Sequence, residues 1–253
     1  MEKNFDNILY ITGGGGLSPK CINISTLAAI LVSSLGVRVF KHISYSSNKK
    51  CSSALLLEEL GIKVSRSLNE IEENFYSDGI VFIDAIPELI LDNMCPFLAP
   101  PNKTVRFIGA NNPENAMKYI FELRARKYLK TMIVSPYDNN YDEASICGNS
   151  QIFEYNAEKI SNYIINPKDL GLTIAEDIHV TGATPVYNAG LAEKIFSNQL
   201  KDAKLDVIVL NAGIMLYILG ITNSIKHGII QAYKLVESSQ AFNKFNNLRG
   251  NKN

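Results

Sequence analysis

The chain has 253 residues, enough to bury a sizeable core as one α/β domain. Hydrophobic residues make up 46% and charged residues 20%, the balance of a globular protein rather than a disordered or fibrous one. Lys+Arg and Asp+Glu each number 25, so the formal net charge is zero, which argues against a nucleic-acid binder working through a general basic field; no apolar run is long enough to span a bilayer.

In chain order, residues 7–11 form a short apolar run that reads as a buried strand. Thr12-Gly13-Gly14-Gly15-Gly16 follow at once. Asn23-Ile24-Ser25-Thr26 then open a helix over 23–35, in which Ile24, Leu27, Ala28, Leu31 and Leu35 recur at helical spacing and Gly36 supplies the stop. Residues 37–40 read as a second strand, closed by Lys41-His42 and a polar run through Ser53. A helix over 55–60 ends at Gly61, 62–64 return to extended structure, and 68–75 are helical. Residues 80–83 are a buried strand followed by Asp84. Pro87, Pro96, Pro100 and Pro101 punctuate 87–101, which reads as loop with at most one or two helical turns.

Further on, 104–108 form a strand, and Asn112-Pro113-Glu114 start a helix that runs to about 128. Residues 131–134 are another buried strand and 138–143 an acidic loop. Two short strands or an edge pair follow at 151–155 and 160–165, then a helical turn at 167–170. Helices are expected at 185–196, 206–219 and 225–236, and the polar tail from Asn243 should fray. This alternation predicts a mostly parallel central sheet flanked by helices, in a single domain over 1–253. Cys21, Cys51, Cys95 and Cys147 make no C-x-x-C pair and no zinc spacing, so reduced thiols are expected. With no signal-like apolar segment at the N-terminus, the expected location is cytoplasmic.

The opening stretch is where chemistry can be argued. Successive glycines let backbone amides approach a ligand closely. They stand at the carboxyl end of a strand, and the helix after them offers unpaired N–H groups and a positive dipole end. Lys41, at the end of the next strand, can bring an ammonium to the same anion. Two readings stand side by side: a cradle for phosphate or pyrophosphate, or a glycine turn with an ordinary N-cap and a solvated lysine. Asp142-Glu143 likewise reads as a pair of hard oxygen ligands for Mg²⁺ or as a solvated acidic loop. Gly182, Asn188-Ala189 and Asn211-Ala212-Gly213 fall on helices that read as buried, where the asparagines would brace loops. His42, beside Lys41, is placed to face a ligand.

Together these pieces resemble anthranilate phosphoribosyltransferase and its relatives in the TrpD-like glycosyltransferase group. That group carries a TGGDG loop, NIST at a helix start, KHGNR, and a later DE pair. Here TGGGG stands at Thr12 to Gly16, NIST at Asn23 to Thr26, KH at Lys41-His42, DEAS from Asp142, TGATPVYNAG from Thr181 and LNAG from Leu210. CPFLAP, from Cys95, stands for the group's GPLxNP loop. The resemblance covers nearly the whole chain. It implies that Thr12, Gly13, Gly14, Asn23, Ser25, Thr26 and Lys41 bind the diphosphate and 5′-phosphate of phosphoribosyl pyrophosphate. It implies that Asp142 and Glu143 hold Mg²⁺, and it puts His42 and Ser44 on the side of a small-molecule acceptor.

There are departures. The loop aspartate is Gly15, the last three residues of KHGNR are Ile43, Ser44 and Tyr45, and the aspartate of the group's GSAD motif, ahead of its leucine-rich helix, is Leu55. The group's helical domain has no counterpart, so the expectation is the α/β domain alone, in a homodimer or with a helical partner subunit. The function implied is Mg-dependent phosphoribosyl or glycosyl transfer to a small molecule, such as an aromatic amine, rather than to anthranilate itself. The alternative is a non-catalytic paralogue that binds a phosphorylated metabolite or serves as a subunit of a complex.

Overall fold

Strand β1, Ile8–Thr12, is buried at every residue but its last, and the sheet grows outward from it on both sides. The computed structural model describes residues 7–13, 22–43, 52–84, 101–156 and 159–250. Among them the strands are β1, β2 (Arg38–His42), β3 (Ile80–Ile83), β4 (Thr104–Gly109), β5 (Lys130–Pro136), β6 (Ser150–Asn156) and β7 (Lys159–Ile165). They form a seven-stranded sheet in the order β3-β2-β1-β4-β5-β6-β7. Strands β1 to β5 pair in parallel, while β6 and β7 add an antiparallel hairpin at one edge. The alternation expected from the sequence is therefore present, and the two short strands are the edge pair.

The helices are α1 (Ile24–Ser33), α2 (Ser53–Leu60), α3 (Leu68–Asp78), α4 (Pro113–Ala125), the short α5 (Asp177–Val180), α6 (Pro185–Phe196), α7 (Ala203–Ile218), α8 (Ile225–Glu237) and α9 (Gln240–Leu248). Their ends follow local chemistry. The Ser52 hydroxyl accepts from the Leu55 amide to start α2, and Ser67 with Glu70 forms a reciprocal capping box at α3. Both helices stop at glycines in the left-handed region, Gly61 (φ 71°) and Gly79 (φ 65°), where a Cβ would be strained.

Strand alternation divides the apolar residues between two cores. Leu9, Ile11, Val39, Val105, Phe107, Met132 and Val134 face α1 and the C-terminal helices. On the other face, Ile8, Tyr10, Phe40, Val81 and Ile83 pack on Ile71 and Phe75 of α3. Beside them, Ile108, Ile133 and Phe153 pack on Ala116, Ile120 and Leu123 of α4. All ten residues of α1 are buried. It lies against β2 on one side, while α7, α8 and α9 pack on it from the other. A helix enclosed in this way is mostly apolar, and two of its buried hydroxyls are bonded within the protein, Thr26 to Ser53 Oγ and Ser33 to the Ile30 carbonyl.

Three expectations need correction. The tail from Asn243 is not frayed. It belongs to α9, where Ala241, Phe245 and Leu248 are buried. The Phe245 ring stacks on Phe196 with centroids 4.6 Å apart. Their spacing of four and three residues puts them on one helical face that the surrounding asparagines disguise. Helix α7 starts at Ala203 rather than 206, because the Asp202 carboxylate accepts from the Lys204 amide at 2.8 Å and caps it there. Gly182 precedes α6 instead of lying within a helix. Residues 87–100, read as loop, lie outside the described residues. No described helix is long and apolar enough to cross a membrane.

The stacked Phe196–Phe245 pair makes the C-terminal helix part of the core. Phe245→Ala should lower unfolding free energy by about 3–5 kcal/mol in urea titration; a frayed tail would leave the midpoint unchanged.

Candidate functional site

The order of strands reverses at β1 and β4. From β1 the chain leaves through α1 to β2 on one side, and from β4 it leaves through α4 to β5 on the other. Such a switch point opens a crevice at the carboxyl ends of the two strands. Thr12 and Gly13 stand there.

Three side chains from separate elements converge on Gly13. A Cβ built on that glycine would lie 3.6 Å from Lys41 Nζ, 3.7 Å from Ser25 Oγ and 3.9 Å from Glu143 Oε1. Lys41 pairs in register with Ile11, so it points to the α1 side of the sheet. It is only 2% exposed, and its ammonium donates to the His42 carbonyl at 3.0 Å. Ser25 is the second residue of α1. Its amide, one of those with no partner inside the helix, donates to Glu143 Oε1 at 3.3 Å. A carboxylate from 118 residues away therefore rests on the positive end of the α1 dipole.

The loop that delivers this carboxylate is held from below. Asn211 on α7 clamps the backbone of Ala144, accepting from its N–H at 3.2 Å and donating to its carbonyl at 2.8 Å. The same amide donates to Val207 O at 2.9 Å, so a fully buried asparagine is satisfied. Asn188 on α6 does similar work at the start of α1. It donates to Asn23 Oδ1 at 3.2 Å and accepts from the Ala183 amide at 2.9 Å. Both asparagines thus brace loops, as expected. Burial first, and then the adjacent Asp142 charge, push the Glu143 carboxyl above the ordinary glutamate range, against the pull of Ser25 and Lys41.

Three details of the ordinary readings of this region are not met. Lys41 is buried rather than solvated, Asp142 is buried rather than in a solvated loop, and Asn23 makes no side-chain bond to the helix it caps. Not every anticipated residue joins the cluster. Thr26 is fully buried and turns to α2, donating to Ser53 Oγ at 3.0 Å. The Thr12 side chain lies on the opposite face, where its hydroxyl accepts from Arg106 Nη2 at 3.1 Å. His42 is partly buried at the end of β2. Gly14 and Ser44 lie outside the described residues.

Sequence reasoning missed a second feature. On the α4 side of Gly13 is a cavity of about 280 Å³, lined by Thr12, Gly13, Gly109, Asn111, Asn115 and Tyr119 among others. The Asn115 amide donates to Asn111 Oδ1 at 2.7 Å. The available signal is Gly109 at a strand end followed by Asn112-Pro113, a pattern that by itself says only that a helix starts.

The ammonium of Lys41 and the hydroxyl of Ser25 beside Gly13 suit an oxygen of a phosphate. The two carboxylates suit a hard cation. No group of three or more acidic, histidine or cysteine side chains able to hold a metal occurs among the described residues. Mg²⁺ takes one or two carboxylates and completes its shell with substrate phosphates and water, and Asp142 and Glu143 are oxygen donors of that kind.

The glycosyl transferase family, a/b domain, matches residues 6–242. Anthranilate phosphoribosyltransferase of Staphylococcus saprophyticus is 30% identical over 267 residues, covering 99% of this chain and 79% of that protein. The enzyme of the same name from Haloarcula marismortui is 29% identical over 262 residues, covering 97% and 78%. In three dimensions the fold matches anthranilate phosphoribosyltransferase (TrpD) from Thermus thermophilus, with a TM-score of 0.82 and 24% identity over 96% of this chain and 77% of that one. It also matches the Saccharomyces cerevisiae enzyme in complex with PRPP and Mg, with a TM-score of 0.79 and 22% identity over 96% and 73%. The reversal of strand order, the polar cluster at Gly13 and these likenesses agree, and the chain belongs to the glycosyl transferase family, as a TrpD-like member with its α/β domain.

Proposed function

We propose that this chain is a single-domain, Mg²⁺-dependent transferase that moves a phosphoribosyl group from phosphoribosyl pyrophosphate to a small-molecule acceptor. The observation that supports it most is the convergence of Lys41, Ser25 and Glu143 on the space beside Gly13. In this reading the Ser25 amide and the Lys41 ammonium bind oxygens of the pyrophosphate, with Asn23 placed beside them by Asn188. Asp142 and Glu143 would hold Mg²⁺, which when bound would neutralise charge on the leaving group. The acceptor's nucleophilic atom bonds to the anomeric carbon, the bond from that carbon to the pyrophosphate oxygen breaks, and pyrophosphate departs with the electron pair. The acceptor's proton passes to solvent. The residues contribute orientation and fixed charge rather than a strong base. The cavity on the α4 side of Gly13 is the space offered to the acceptor.

A second reading, a non-catalytic paralogue that binds a phosphorylated metabolite, is favoured by Gly15 standing where the related motif has aspartate. Calorimetric titration with phosphoribosyl pyrophosphate, with and without Mg²⁺, tests binding. Metal-dependent binding that disappears in Asp142→Asn supports the transferase site, and no heat at millimolar ligand overturns it. Binding with no release of pyrophosphate in the presence of small aromatic amines selects the paralogue.

Two further outcomes are expected. In Gly13→Ala the added methyl meets neighbours at 3.6 Å and beyond, ordinary contact distances, so the variant should fold with an unchanged melting temperature. It fills the cradle, however, and affinity for magnesium pyrophosphate should fall about 100-fold by calorimetry. Glu143→Gln should change stability as well as binding. Because the glutamate's pKa is raised on folding, the folded wild type binds more protons than the unfolded chain and loses stability as pH rises through the shifted value. The glutamine variant should melt higher at neutral pH, with the gain vanishing on acidification, and should lose metal-dependent binding. A variant that melts lower at neutral pH would contradict this.

A further inference from the structure

Arg106 stands in the middle of β4, fully buried. A charged residue in that place is costly, and an apolar side chain of similar size is often neutral or stabilising there. Its geometry is specific. Arg106 pairs in register with Tyr10, so both point to the α4 face. The guanidinium carbon lies 3.8 Å from the centroid of the Tyr10 ring and 5.3 Å from that of Tyr128, a cation held between aromatic faces. From that seat Nη2 reaches diagonally along the sheet to Thr12 Oγ1, at 3.1 Å. Thr12 is the last residue of β1 and the one bonded to Gly13.

We propose that Arg106 is a positioning residue for the anion site, acting through Thr12. It fixes the end of β1, and with it the direction in which the Gly13 backbone enters the cradle, and it sets a positive charge beside Thr12. The anion site thus draws on both faces of the sheet: Lys41 and α1 from one, Arg106 from the other. This inference rests on the cradle's binding pyrophosphate.

The test is calorimetry with magnesium pyrophosphate on wild type, Arg106→Met, Arg106→Lys, Thr12→Val and the Arg106→Met/Thr12→Val double variant, with melting temperatures measured in parallel. Arg106→Met should bind about tenfold more weakly without a matching loss of melting temperature. Arg106→Lys should recover part of the loss, because charge returns without the fork of N–H donors. The double variant should lose less than the sum of the two single losses, the mark of residues acting as a unit. Wild-type affinity in Arg106→Met, equal losses in the methionine and lysine variants, or strict additivity would overturn the proposal. If Arg106→Met does not fold, Thr12→Val decides: unchanged affinity overturns the proposal and weakened affinity upholds it. A wild type that binds no magnesium pyrophosphate removes the underlying reading as well, whereas a wild type that binds while the variants match it removes this inference alone.

Discussion

A carboxylate resting on the first turn of a buried helix is the contact from which the rest of this structure can be understood. Glu143 Oε1 accepts from the Ser25 amide at 3.3 Å, close to the ammonium of a buried lysine. Neither charge belongs in an apolar interior unless the surroundings are arranged for it. The helix dipole, the lysine and the carboxylate offset one another's burial, and together they leave the small space at Gly13. A ligand anion offers that same amide and ammonium what the glutamate offers them now.

The fold supplies the precision this needs. The helix that carries Ser25 is buried on all sides, so it cannot tilt freely. The loop that carries Glu143 is clamped by Asn211, and the N-cap of α1 is held by Asn188. Each asparagine is buried and each has its polar atoms satisfied, so the bracing adds rigidity at little cost in desolvated groups. The raised pKa of Glu143 records where cost remains: burial first, and then the charge of the neighbouring Asp142.

Much of this can be read from the residues. Apolar runs ending at glycine or at Lys41-His42 mark the parallel strands, because strands buried on both faces show near-continuous hydrophobicity. Gly61 is legible as a helix stop for a steric reason that needs no tertiary information. The site's membership is less legible. Ser25 and Lys41 come together as expected, but Thr26, one residue further round the helix, faces α2 instead; a helix turns 100° per residue, and sequence alone does not say which face looks at the ligand. Arg106 is hidden because a single charge within an apolar strand resembles an exposed position until the register with Tyr10 is known. The terminal helix is hidden by composition, since Ala241, Phe245 and Leu248 are separated by polar residues whose side chains point outward.

The central claim is that the space at Gly13 receives a phosphate oxygen and that Glu143 yields the helix amide to it. A crystal structure of the protein with magnesium pyrophosphate tests this most directly. The expected result is a phosphate oxygen within hydrogen-bond distance of the Ser25 amide and Lys41 Nζ, with Glu143 turned from the amide toward the metal. Pyrophosphate bound elsewhere, with the Ser25–Glu143 contact intact, would contradict it.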